Sequence, residues 1–376
     1  MEINHFPKES NMLPSRLVGF MVHANQVGIG ILGYQRIIAK EAGHDAWISV
    51  ALAGLLAHVT VWVIIQTLRK YPSADLFGIH QDVYGKWLGG MLSLMFVRYF
   101  ILAAIVVLRN YIEVIQTWIF PEVSTWLFSL IFIFLALYTV LGGIRVIAGY
   151  TFITVVIVIW LLLDLYFPLQ FARWYHLLPI MEADLLQIWK GTLAMSLTII
   201  GFEIIYAIYP FVKEKERAGK AAQLGILVTN MIYTFLMVVT LVFFSEGQLA
   251  KTIWATLHLK KMVYLPFLER FEFIAISLWL LVIMPNVMLY IWSAARGCKR
   301  LFGWNQRKLT YILFILIFMS TLFFLSRQEV NRLNDITSRM GFYFAFVYPY
   351  VLYLLVIIKQ AWKRKRGNAS DESVSE

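Results

Sequence analysis

Two short stretches, Gly28-Ile29-Gly30-Ile31 and Gly201-Phe202-Glu203, hold the residue types that could do chemistry in this chain. Each interrupts an apolar run of membrane length, 15 to 38 for the first and 188 to 212 for the second. A helix that unwinds at mid-membrane exposes backbone donors at the start of its outer half, and their dipole favours a carboxylate or other anion. Unwound carbonyls around Gly201 and Phe202 would accept from an ammonium group. The expected pocket is small and mostly apolar, with Gly28, Ile29, Gly30, Ile31, Gly201 and Phe202 as ligand-binding residues. The same glycines could serve only close packing between helices, as small residues do in membranes.

Charged residues at depth are the second kind of signal. Glu203 lies roughly 22 Å along its span at 1.5 Å per residue, too deep to reach water easily, so it needs a partner or a proton. It reads as a gating or proton-coupling carboxylate, or as a buried structural acid paired to a base such as Arg98. Arg98 lies about 16 Å into the third span and is equally unsuited to face lipid. Glu269, Arg270 and Glu272 fall in the outer half of the eighth span, where they could line an outer vestibule or satisfy one another. Arg109 and Glu113, spaced i and i+4, read as a structural pair. Asp164 is expected to reach water, His23 and His58 to be packed, and Asn286 to bond carbonyls freed by Pro285.

These groups are positioned by a chain built for lipid. Of its 376 residues, 60% are hydrophobic and 15% charged, with a mean hydropathy of +0.71, which places it among polytopic membrane proteins. A single cysteine, Cys298, excludes an internal disulfide and makes no metal site. Enzyme signatures are missing: there is no phosphate-binding Gly-rich Lys loop, no Gly-x-Ser-x-Gly and no pair of histidines at metal-ligand spacing. No adjacent hydroxyl pair stands in the eighth span beside the first break, so sodium coupling has no support.

The net charge of +11 could point to nucleic acid. The positive-inside rule explains it instead, because most of the 33 Lys and Arg fall in the termini and the even-to-odd connections, placing both termini in the cytoplasm.

Apolar segments long enough to span fall at 15–38, 46–69, 87–119, 123–141, 144–168, 188–212, 218–245, 263–296, 308–326 and 339–362. This is an all-α polytopic arrangement of about ten transmembrane helices. The third and eighth are the longest, and the first and sixth are the broken ones, so two features recur with an offset of five. A five-plus-five inverted repeat follows, 15–168 and 188–362, between a cytoplasmic N-terminus (1–14) and a cytoplasmic disordered tail (363–376). The connector 71–86 has the spacing of a short helix on the cytoplasmic interface. The outer segments 173–187, 248–262 and 327–338 are longer than tight turns require.

Several segments together resemble the spore-germination permease family, the B subunits of germinant receptors, within the amino acid/polyamine/organocation superfamily. They are Gly28-Ile29-Gly30-Ile31-Leu32 with Ala42-Gly43-His44-Asp45-Ala46-Trp47-Ile48-Ser49, the connector from Pro72 to Gly89, Gly201-Phe202-Glu203 with Tyr209-Pro210-Phe211, and Glu269-Arg270-Phe271-Glu272 with Trp279. Relatives often follow the first break with Leu-Pro, where this chain has Leu32-Gly33.

The resemblance implies a LeuT-like fold with a pocket between helices one, three, six and eight, to which Ala104 of the third would contribute. It also implies a receptor in the inner membrane of a spore, working with a larger A subunit and a lipoprotein C subunit, in which a small nutrient such as an amino acid triggers germination. The alternative is a proton-coupled permease for amino acids or similar solutes. Either needs the same pocket, no cofactor and no metal, and only membrane lipid beside its partners.

Overall fold

Long apolar runs punctuated by Gly and Pro leave the backbone one solution in lipid, the helix, because every N–H and C=O must be satisfied within the segment. The computed structural model describes residues 3–4, 6–266, 268–324 and 326–372, with side chains up to 363. In chain order the helices are α1 (Arg16–Gln26), α2 (Tyr34–Ala42), α3 (Ala46–Arg69), α4 (Leu76–Trp118), α5 (Thr125–Leu141), α6 (Ile144–Val158), α7 (Tyr166–Leu169) and α8 (Leu185–Ser196). They continue with α9 (Ile205–Ile208), α10 (Lys215–Phe243), α11 (Glu246–Lys251), α12 (Ala255–Lys260), α13 (Phe271–Phe302), α14 (Gln306–Thr321), α15 (Arg327–Phe342) and α16 (Tyr348–Glu372).

Six helical stretches among the described residues have the length and apolarity to cross a membrane: Tyr34–Arg69, Leu76–Trp118, Ile144–Leu169, Lys215–Phe243, Phe271–Phe302 and Arg327–Lys363. The chain is an integral membrane protein by this measure. Apolar helices at Thr125–Leu141 and Phe202–Phe211 are shorter.

The centre of the molecule is α13, whose apolar stretch is 72% buried, packed along α4 and flanked by α1, α5, α6 and α14. On its other side α1 crosses α10 closely. A Cβ on Gly19 would strike the Ala221 carbonyl and one on Gly225 would strike Gly19, so the crossing depends on small residues.

Several boundaries differ from the sequence reading for local reasons. The eighth span starts at Phe271 rather than 263, because Pro266 disfavours helix at the residue before it, and it runs on to Phe302 until Gly303 (φ 74°) caps it in the left-handed region. The connector 71–86 is indeed helical from Leu76, but it joins the third span across Gly85 (φ 79°, ψ −174°). Its first turns are packed inside the protein. Leu76 to His80 are buried, because the preceding Asp75 carboxylate is held by Arg296 at 2.7 Å and Arg300 at 3.3 Å from the end of α13.

The connecting segments 248–262 and 327–338 carry helices of their own, α11, α12 and α15, with α15 leading into α16 through the π turn Tyr343–Val347. As backbone, α16 continues to Glu372, past position 363 where the sequence reading begins an unstructured tail; residues 373–376 lie outside the described residues.

Candidate functional site

Both expected breaks are present. The first helix ends at Gln26, Val27 turns off at ψ 85°, and a single 3-10 turn (Gly30–Leu32) precedes α2. Its partner ends at Ser196 and resumes through Phe202–Ile204, with Gly201 at φ 128° between them. That φ is open to glycine and to few other residues, and a Cβ there would overlap the Asn25 carbonyl.

The two breaks touch, and they are clamped by side chains. Asn25 donates to the Gly201 carbonyl at 2.7 Å and Gln26 donates to the Ile199 carbonyl at 2.9 Å. From α13, Asn286 donates to the Ala24 carbonyl at 2.8 Å, and from α10 the Tyr233 hydroxyl donates to the Gln26 carbonyl at 3.2 Å. The carbonyls released by unwinding are thus taken up by neighbouring amides and a phenol, as burial requires. The Gln26 Oε1 is buried and has no donor among the described residues.

Glu203 closes the second break. Its Oε2 accepts from the Gly201 N–H at 2.7 Å, while Oε1 accepts from the Tyr99 hydroxyl at 2.8 Å and the Tyr290 hydroxyl at 3.3 Å. Tyr99 and Tyr290 belong to α4 and α13, so one fully buried carboxylate joins three elements. A carboxylate can stay buried when its lone pairs are filled in this way.

The pairing of Glu203 with Arg98 does not occur. Neighbours on a helix differ by about 100°, so turning Tyr99 inward turns Arg98 out. Arg98 is exposed beside Leu94 and Met95 and has no partner among the described residues. Of the acidic and basic group expected within the eighth span, Glu272 is buried in the first turn of α13, whereas Glu269 and Arg270 are exposed ahead of it, and Arg270 pairs with Glu272 at 3.2 Å while lying over the Phe273 ring.

Of the remaining expected ligand residues, Gly28 faces the Asn286 side chain and Gly30 faces Thr198. Ile29 and Ala104 are buried. Phe202 packs edge-on against Phe346 at 5.1 Å. Ile31 lines a cavity that extends toward α6 and α10, and neither Ala104 nor Phe202 does.

Asp164 does not reach water: it is buried and held by Lys260 at 2.5 Å. Arg109 donates to the Phe324 carbonyl and Glu113 pairs with Arg327. His23 meets the Thr229 hydroxyl at 2.8 Å, and no cluster of metal-ligating side chains occurs among the described residues.

Sequence reasoning missed Asn25, Gln26, Tyr99, Tyr233 and Tyr290. Asn25 and Gln26 did carry a signal, as two adjacent amides deep in an apolar helix immediately before Gly28. The tyrosines carried none, being common in membrane helices.

Comparison with known proteins gives the family and the fold. Residues 12–330 match the profile of the spore permease family, described as spore germination protein. The chain is 40% identical to spore germination protein GerQB of Bacillus cereus over 348 residues, 93% of this chain and 96% of that one. It is 24% identical to spore germination protein A2 of Bacillus subtilis over 94% of this chain and 98% of that one.

Among solved structures it resembles MhsT in complex with L-phenylalanine, with a TM-score of 0.62 and 13% identity over 90% of this chain and 87% of that one. It also resembles a sodium-coupled sialic acid symporter, with a TM-score of 0.65 and 13% identity over 93% and 79%. The fold is therefore that of LeuT-like transporters, and by sequence the chain belongs to the spore germination protein family.

Proposed function

We propose that this chain is the membrane-embedded subunit of a spore nutrient-germinant receptor. It binds a small germinant, of which an amino acid is the foremost case, at the two helix breaks and triggers germination. The observation that carries this reading is the direct clamp of one break on the other, Asn25 on Gly201 and Gln26 on Ile199, in a chain of the germination family. A solute lodged there exchanges bonds with both helices at once and so shifts the balance between conformations. The free Gln26 Oε1 suits an ammonium or other N–H donor.

In this reading the pocket is completed by Gly28, Ile29, Gly30, Ile31, Ala104, Gly201 and Phe202, with Glu203 as the gating carboxylate. The ten spans form two repeats of five, which pair the first with the sixth and the third with the eighth. Both termini face the cytoplasm, and the membrane is the inner membrane of the spore. An A subunit and a lipoprotein C subunit transmit the change. Arg98, a charge in the middle of an outward face, supports such a partner, because a lone guanidinium in lipid is costly.

A second reading, a proton-coupled permease for amino acids, draws on the transporter fold and on a buried carboxylate beside two tyrosines. Spores lacking their own copy and given either the wild-type chain or Gly201→Val test the proposal. The wild type restores the response to nutrient and the variant, present in equal amount, does not. An equal response in both contradicts the proposal.

A further inference from the structure

Beside the first break, between α1, α6, α10 and α13, lies a cavity of about 740 Å³ of empty space including its mouth. Val27, Ile31, Leu236 and Val282 form its apolar walls. Its mouth is at α6, where Val158 and Leu162 are half-buried and Ile159 is exposed, so it opens along the face that meets lipid.

Two features show what the cavity would accept. Trp279 lines it and is only 8% exposed, yet its indole N–H finds no acceptor among the described residues. An unmade hydrogen bond at a buried donor is expensive, and an occupant with an acceptor would make it. At the other extreme, Lys260 brings a charge to the wall, but that charge is already consumed: its ammonium donates to Asp164 at 2.5 Å and to the Leu161 carbonyl at 2.8 Å. That carbonyl belongs to the 3-10 stretch Ile159–Leu165, into which α6 loosens where the cavity lies. The wall is therefore mostly apolar with its lysine charge balanced, and its polar groups are the unpaired Trp279 indole N–H, two hydroxyls already bonded within the protein (Thr154 and Thr256) and the ring of His23, one nitrogen of which meets Thr229.

We infer that this cavity is a binding site for a small, uncharged, mainly apolar molecule with one hydrogen-bond acceptor, entering from the bilayer and accepting from Trp279. It adjoins the germinant pocket proposed above, with which it shares Ile31, but it lies on the α6 and α10 side of the first break rather than at the contact between the two breaks.

The test uses the full chain in lipid nanodiscs and two probes of one shape, 4-fluoroacetophenone with a carbonyl acceptor and 4-fluoro-isopropylbenzene without one, followed by fluorine NMR. Wild type binds both saturably and the ketone more tightly. Trp279→Phe weakens the ketone by about fivefold, the worth of one hydrogen bond, and leaves the hydrocarbon unchanged, which also shows that the cavity survives the substitution. Val158→Trp, which fills the mouth, abolishes both. Absence of saturable binding to wild type, or equal ketone affinity in wild type and both variants, overturns the inference.

Discussion

Asn25 and Gly201, 176 positions apart in the chain, meet where two interrupted helices cross: the Asn25 amide donates to the Gly201 carbonyl at 2.7 Å, and the Asn25 carbonyl occupies the place where a Cβ of residue 201 would stand. Each residue needs the other's form. Asn25→Ala removes the donor and leaves a buried carbonyl unpaired, which costs about 1–3 kcal/mol. Thermal unfolding in detergent will read that loss, and nutrient response will fall by about tenfold or more. Unchanged stability and response would show that the contact is incidental.

The two glycines should not behave alike. At Gly201 a side chain meets both a positive φ of 128° and the Asn25 backbone, whereas at Gly28 it meets the tip of Asn286 at 3.0 Å, a side chain that can yield. Gly201→Ala is therefore expected to cost about 1–3 kcal/mol from backbone strain alone and to abolish the response, with Gly28→Ala milder. Gly28→Val and Gly201→Val both insert into the membrane and both fail to respond. The opposite order for the alanine variants, measured by thermal unfolding, would contradict the assignment of strain to Gly201.

Glu203→Gln keeps one acceptor and replaces the other with donors. The amide oxygen can accept from the two tyrosines or from the Gly201 N–H, not from both, so at least one of the three present bonds fails. Response to nutrient should fall while the protein remains folded, and Tyr99→Phe together with Tyr290→Phe should reproduce part of the defect. Wild-type response and pH dependence in Glu203→Gln would reduce this carboxylate to packing.

Far from the breaks, Asp75 holds the end of α13 through Arg296 and Arg300, with Asp75 and Arg296 almost completely buried. Removing one partner of a buried ion pair leaves an uncompensated charge, at about 3–5 kcal/mol. Asp75→Ala should therefore lower thermal stability by that order, more than Arg270→Ala, whose guanidinium is largely exposed at the opposite end of α13. Equal effects would mean that the buried pair contributes no more than a surface one.

Much of the fold could be read from the sequence because lipid imposes a strong code. Membrane-length apolar runs located most helices, and a glycine pair in one run with a glycine and an acid in another marked both breaks. What stayed hidden was decided by direction and by distant packing. Arg98 and Tyr99 are adjacent in sequence, and only the packed helix shows that the tyrosine faces Glu203 while the arginine faces out. Asp164 looked like an end-of-helix acid until α12 returned to place Lys260 on it. The burial of Leu76 to His80 stayed hidden because nothing local announces that Asp75 will be drawn under α13.

The central claim is that a small solute binds at the contact of the two breaks and is sensed rather than pumped. Its most direct test is equilibrium binding of labelled amino acids to the purified chain in proteoliposomes, with uptake followed on the same vesicles. Saturable binding that is lost in Gly201→Val, without uptake in the wild type, is the result expected. Concentrative uptake driven by a proton gradient would contradict it and make this chain a transporter.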